Sequence, residues 1–345
     1  MNQLSNLLND PSWFPAAIDI KTNQINFVQI DRNSLSKEAF LDQRMKGSIT
    51  AHQTVPLRDV MAEVAGQQPK APLFIFHTAF CCSTLLARAL DKTGTALSLK
   101  EPDVLMGLAN ALRVDEQVRQ SEENANLLVS TVFKLLARQF NGDERIIAKP
   151  TNAANNLLGH AIKSGSRIVL LYGDLHSFLV SVLKKGEPCK SFVRTQYNIF
   201  SLDPGGVSLI PQRQAVSFTD LQIAALVWRH QIELFQSLLA TAPKEQVVSL
   251  NFEIFLESPT QALSAVSQFF GLNHSDDDIE DIINGPIFTR NSKFDEQDYG
   301  AEQRDMDVSR IEERYGDILT QIEAWAGQTR LSNDVTLPLP NALVF

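Results

Sequence analysis

The chain has 345 residues, of which 44% are hydrophobic, enough to bury the core of one large α/β domain or two small ones. A formal net charge of -9 and a pI near 5.2 argue against a general nucleic-acid or anionic-membrane surface, so an anionic ligand would need cations gathered locally. No run of 18 apolar residues offers a membrane span, and the opening MNQLSNLLNDPSW lacks the basic and apolar regions of a secretory signal.

Along the chain, Ala16 to Ile20 and Ile25 to Ile30 flank the turn-forming Thr22-Asn23 and predict a hairpin. Ser34 then precedes a helical stretch through Phe40, Leu41 and Met45, and Pro56 opens a second containing Val60, Met61 and Val64. We expect residues 1–70 to form an N-terminal extension packed on a main domain of residues 71–345. From Ala71 onward short apolar runs alternate with amphipathic stretches, the pattern of βαβ units and a parallel sheet. The predicted strands are Leu73 to Phe76, Ala96 to Leu99, Ile146 to Ala148, Ile168 to Tyr172 and Val247 to Leu250. Helices are predicted near Ser83 to Leu90, Pro102 to Leu112, Ser121 to Phe140, Asn152 to Ile162, Leu175 to Leu183 and Asp220 to Leu239. Ligands of such sheets bind at the carboxyl ends of the strands, so residues just after each strand are the candidates for chemistry.

The first such place is LFIFHTAFCCSTLLARAL, read as strand, tight turn and helix. Free amides from Thr78 and Ala79 through Cys82, with the hydroxyls of Ser83 and Thr84, can seat a phosphate or sulfate, and an ordinary capped helix start fits the segment equally. The nucleoside-triphosphate pattern Gly-x-x-x-x-Gly-Lys-Ser/Thr fails at His77, Cys82 and Ser83, which excludes an ordinary ATPase or GTPase loop. Cys82 and Arg88 meet the Cys-x5-Arg spacing of thiol phosphatases, although the intervening STLLA favours a helix. The three cysteines, Cys81, Cys82 and Cys189, give an odd count with no disulfide framework or metal-ligand spacing, so a reducing cytoplasm and no metal are expected.

Taken together, the turn, Ser83-Thr84-Leu85-Leu86 and the segments after the next strands resemble the bacterial sulfotransferase family. The resemblance spans roughly Leu73 to Arg304. It implies a P-loop-type three-layer α/β fold, with a central, mostly parallel sheet of about five strands, the hairpin and helix extension, and a helical C-terminal cap. It also implies 3'-phosphoadenosine 5'-phosphosulfate as donor and a small-molecule or glycan acceptor. The family's basic-Ser-Gly-Ser/Thr-Thr loop falls on Phe80, Cys81, Cys82, Ser83 and Thr84, with Phe80 in place of the basic residue. Leu99-Lys100-Glu101-Pro102 is similar to the segment carrying a general base, and Ile147-Ala148-Lys149-Pro150-Thr151 to the one carrying a strand-end lysine.

On that resemblance Glu101 is the expected base and Lys149 the electrostatic stabiliser, while Glu101 also suits the first turn of the helix opened by Pro102. In RIVLLYGDLHSFLVSVLKKG, Ser181 stands where the family's 3'-phosphate motif has its serine, but Gly173 replaces the arginine and Leu175 the proline. Lys184 or Lys185 could compensate, as Lys149, Lys100 or Arg88 could for the turn. Further on, Ser258, Pro259 and Gly271 delimit a helix with Leu263, Val266, Phe269 and Phe270 on its apolar face. TRNSKFDEQDYGAEQR resembles the family's basic donor loop and makes Arg290, Lys293 and Arg304 candidates for phosphate contacts. Two other readings stay open, a non-catalytic nucleotide- or anion-binding protein and a Cys82-dependent thiol phosphatase.

Overall fold

The computed structural model describes residues 3–45, 49–68, 70–142, 144–289, 301–329 and 331–345, without the side chains of 289 and 301–305. Five short apolar runs form one parallel sheet: β4 (Leu73–His77), β5 (Ala96–Lys100), β6 (Arg145–Lys149), β7 (Ile168–Tyr172) and β8 (Val247–Asn251). Their spatial order is β5-β6-β4-β7-β8. Each coincides with a sequence-predicted strand to within one residue at either end.

Alternation along the strands divides the apolar residues between two layers. Phe74, Phe76, Leu97, Leu99, Ile146, Ala148, Ile168 and Leu170 face a large core shared with helices Asp103–Val114, Glu122–Leu136, Leu175–Lys185 and Asp220–Leu239. Leu73, Ile75, Ile147, Val169, Leu171, Val248 and Leu250 face a smaller core with helices Ser83–Ala89 and Pro259–Phe270. Both faces are therefore covered, as a purely parallel sheet requires.

The N-terminal part is a three-stranded antiparallel sheet, β1 (Trp13–Asp19), β2 (Gln24–Gln29) and β3 (Ala51–Pro56). The predicted hairpin is its first two strands. The third was not anticipated, because AHQTVP buries only alternate positions partially and carries little apolar signal. The helical stretch expected from Ser34 to Met45 is shorter, Arg32–Lys37, capped by the Asp31 side chain. It stops early because Leu41 is recruited to the parallel sheet: its amide donates to Lys100 O at 2.8 Å, and its carbonyl accepts from the Asp103 amide at 3.0 Å. Arg32 ties the same region to the core through Asp91 and Glu144. The helix expected over Asn152 to Ile162 starts as a tighter 3-10 turn, Asn152–Leu157, before continuing as Leu158–Lys163.

Topology fixes where a ligand can sit. From central β4 the chain passes to the edge strand β5, returns to β6, then crosses to β7 and β8 on the other side. The carboxyl end of β4 is thus the point where strand order reverses. Over β7 lies helix Leu175–Lys185, onto which the C-terminal helix Ala301–Gln328 is fastened by Lys184–Asp307 at 2.7 Å and by His176 between Glu312 and Glu323. No helix among the described residues is long and apolar enough to cross a membrane.

Candidate functional site

Backbone conformation marks the carboxyl edge of the sheet. Among the described residues, the non-glycine residues with positive φ are Asn23, Ala79, Phe80, Cys82, Glu101 and Asn341. Asparagine tolerates this region, whereas the other four do so at a cost. Those four lie in the turn after β4 and at the end of β5. Strained residues persist where surrounding contacts over-determine them, commonly at sites that bind or react.

His77 supplies part of that determination. Its Nδ1 accepts from the Ala79 amide at 3.0 Å, which places the ring proton on Nε2, 3.1 Å from Pro150 O. The imidazole therefore stitches the turn to the end of β6, and Asn155 Nδ2 donates to His77 O at 3.1 Å. Beyond the turn, helix Ser83–Ala89 begins with Ser83 and Thr84 buried, and Thr84 Oγ1 has no hydrogen-bond partner among the described residues. A buried hydroxyl left unpaired costs free energy unless a ligand or water completes it.

Glu101 and Lys149 meet beside this turn. Lys149, wholly buried at the end of β6, donates from Nζ to Glu101 Oε1 at 2.7 Å. The Glu101 amide donates to Lys149 O at 2.7 Å, so the β5–β6 ladder runs one residue past the strands and holds Glu101 in its left-handed conformation. Its other oxygen is 3.6 Å from Arg44 Nη2, an extension residue stacked over Phe40. With its side chain 16% exposed, Glu101 is the wet end of an otherwise dry pair. A buried ion pair repays its desolvation only with close geometry, which this one has.

The other expected sources of charge are differently employed. Lys100 is fully buried and turns towards the extension, donating to Ser36 O at 2.7 Å, Ser98 O at 3.1 Å and Leu35 O at 3.4 Å. Burial pushes its pKa down to about 8. It does not serve the turn, because strand alternation sends its side chain away from its neighbour Glu101. Lys184 is engaged with Asp307. Lys185, in contrast, sets its ammonium 4.0 Å from the centroid of the Phe80 ring.

Across the sheet the expected 3'-phosphate clamp is altered. A Cβ built on Gly173 would come within 2.5 Å of the Phe252 ring, so Phe252 must move before any side chain, arginine included, can occupy that position. The Gly173 carbonyl accepts from Trp228 Nε1 at 2.9 Å. Glu253 stands beside it, its pKa raised chiefly by burial. Ser181 is half-buried on helix Leu175–Lys185, one turn before Lys185. Arg290 and Lys293, and the side chain of Arg304, lie outside the described residues.

The thiol reading loses its geometry. The residues of STLLARA are helical, so Arg88 sits in the last turn of helix Ser83–Ala89 instead of curling round an anion at Cys82. Burial raises the Cys81 thiol to about 12, which removes it as a nucleophile at neutral pH. Sequence reading missed His77, Arg44 and Asn155 as parts of the site. His77 carried a signal in its place at a strand end, while Arg44 and Asn155 carried none, since their partners are remote in the chain.

No protein-family model matches the chain, and neither does any curated protein. Among solved structures it is similar to the sulfotransferase domain from the curacin biosynthetic pathway, at 15% identity over 73% of this chain and 99% of that one, with a TM-score of 0.43. It is also similar to a sulfotransferase from Alicyclobacillus acidocaldarius, at 13% identity over 76% and 98% of the two chains, with a TM-score of 0.36. A mouse sulfotransferase, SULT7A1, complexed with PAP matches at 9% identity over 79% and 94%, with a TM-score of 0.36.

Proposed function

We propose that the chain transfers a sulfonate group from 3'-phosphoadenosine 5'-phosphosulfate to the hydroxyl or amine of a small-molecule or glycan acceptor. The observation that carries this reading is the Lys149–Glu101 pair at 2.7 Å, set beside a left-handed turn with an unsatisfied Thr84 hydroxyl. In the reaction the acceptor atom forms a bond to sulfur while the bond from sulfur to the 5'-phosphate oxygen breaks. Glu101 takes the acceptor's proton, and Lys149 faces the negative charge that grows on the departing oxygen. The amide of Cys82, with the Ser83 and Thr84 hydroxyls, holds the 5'-phosphate, and Ser181 reaches the 3'-phosphate; the Thr78 and Ala79 amides, expected from the sequence to join them, instead donate to Leu171 O at 3.2 Å and His77 Nδ1 at 3.0 Å and shape the turn. Positioned donors and one ammonium suffice for this chemistry, which consists mainly of orientation and charge stabilisation. An odd count of three cysteines suits work in a reducing cytoplasm.

Calorimetric titration with adenosine 3',5'-bisphosphate, ATP and adenosine 5'-phosphate tests the donor, and no preference for the bisphosphate overturns it. Glu101→Gln is expected to lower turnover far more than donor affinity; equal losses would contradict its role as base. A second reading, a binding protein without turnover, is favoured specifically by the closed position at Gly173. Tight bisphosphate binding with no transfer to any of a broad acceptor panel would select it.

A further inference from the structure

We infer that the chain carries a second small-molecule site, for an uncharged amphiphile with an apolar tail and a hydroxylated head, against helix Glu187–Phe200 and apart from the strand ends. A cavity of about 550 Å³ is bounded there by that helix, by the connecting segment after it and by the start of helix Asp220–Leu239. That volume lies in the range of small-molecule pockets. Among the described residues lining it, none belongs to the turn after β4 or to the ends of β5 and β6.

The helix itself separates the two places. Phe192 packs edge-on against Phe80 of the turn, and Gln196, four residues on, accepts from Asn152 Nδ2 at 3.2 Å, so one face looks to the strand ends. Arg194, Tyr197, Asn198 and Ser201 recur at spacings of three and four on another face, and these line the cavity. The opposite wall is anchored at both ends. Gly206, with φ of 56°, donates its amide to Ser332 Oγ at 2.7 Å, and the space a Cβ would need there is taken by His230. Further along, Phe218 packs edge-on against Trp325. Between these anchors Ile210 and Val216 line the cavity, joined by Ile223 from the next helix, and Val216 is 79% exposed. This wall suits an apolar tail.

The helix wall defines the head group. Tyr197 is 7% exposed, burial raises its pKa, and its hydroxyl has no hydrogen-bond partner among the described residues. A buried phenol ordinarily finds a partner, and a ligand hydroxyl entering the cavity supplies one. Asn198 adds an exposed amide on the same face. Arg194, the charged residue of the lining, gives its Nε to Asp220 and its Nη2 to Phe218 O at 3.1 Å. An anionic head would meet a cation already neutralised, so the cavity favours an uncharged one.

Octyl β-glucoside, kept below its micelle concentration, is the probe, titrated into the full chain by ligand-observed NMR. Wild type is expected to bind it with a Kd below about 1 mM. Tyr197→Phe, which removes the hydroxyl and keeps the ring, should weaken it about threefold to tenfold. Asn198→Trp, which fills the cavity from an exposed position, should abolish binding. If thermal unfolding shows that Asn198→Trp does not fold, Gln212→Trp fills the cavity from the opposite wall and takes its place. Octanoate, with a charged head on a similar tail, should bind more weakly than the glucoside. No binding by wild type, full affinity in either Tyr197→Phe or the tryptophan variant, or tighter binding of octanoate overturns the inference. None of these outcomes bears on sulfonate transfer, whose groups lie at the strand ends.

Discussion

At the ends of β5 and β6, charged groups are buried, paired and pre-positioned, with Lys149 wholly enclosed and Glu101 pinned by a ladder hydrogen bond. At the ends of β7 and β8 the corresponding space is filled by an aromatic ring against Gly173, with Glu253 beside it. The first region spends conformational strain and desolvation to hold a constellation that packing does not need. The second has a well-packed wall where an arginine is expected. One edge of a single sheet thus carries a buried ion pair on one side and an aromatic wall on the other.

The largest effect that would break this contrast comes from Lys149→Met. Removing one partner of a buried pair is expected to cost about 3–5 kcal/mol in denaturant unfolding, and the lost ammonium to lower turnover at least about a hundredfold. Glu101→Gln/Lys149→Met should recover much of the stability and none of the turnover. If Lys149→Met unfolds like wild type, the pair is not the organising feature claimed for it.

Gly173→Arg probes the opposite side, and overpacking against Phe252 should cost about 1–3 kcal/mol without tightening the bisphosphate. Relieving the clash with Phe252→Ala should recover stability and raise bisphosphate affinity in calorimetry. A tighter complex from the single variant would show that the wall yields easily.

Cys82→Gly tests the turn itself. Cys82 has φ of 56°, a conformation that glycine adopts without the Cβ penalty, so the substitution should gain about 1 kcal/mol in thermal unfolding while leaving turnover intact. A loss of activity would return the thiol to consideration.

The smallest effect concerns the helix over β7. Burial disfavours protonated His176, but hydrogen bonds to Glu312 and Glu323 outweigh it and raise the pKa above the ordinary 6.5. The folded state therefore binds the proton more tightly, so this contribution is complete below the unfolded value and fades as pH rises through the folded one. Because these side chains are substantially exposed, His176→Ala should cost under about 1 kcal/mol at about pH 5.5 and almost nothing at about pH 9. Hydrogen exchange in helix Ala301–Gln328 would report it, and an equal loss at both pH values would assign His176 to packing alone.

Legibility followed the range of each interaction. Helix Asp220–Leu239 and the five parallel strands were evident because their apolar runs and caps are local. β3 was missed because its pairing with β2 is set by a distant partner, and the helix after Asp31 was overextended because Leu41 bonds instead to Lys100 and Asp103. Within the site, Glu101 and Lys149 announced themselves by standing just after strands. Arg44 did not, since its approach to Glu101 depends on how the extension folds back.

From its sequence alone, the chain declared an alternating α/β pattern, the strand-end placement of its reactive residues, and the absence of basic residues at Phe80 and Gly173. Periodicity and local chemistry suffice for all three. Tertiary structure decided which of the remaining cations faces which anion. Lys149 turned to Glu101 and Lys100 to backbone carbonyls, while Lys185 came to rest over Phe80. Those choices depend on strand alternation, helix facing and the close approach of residues far apart in the chain, which no local pattern encodes.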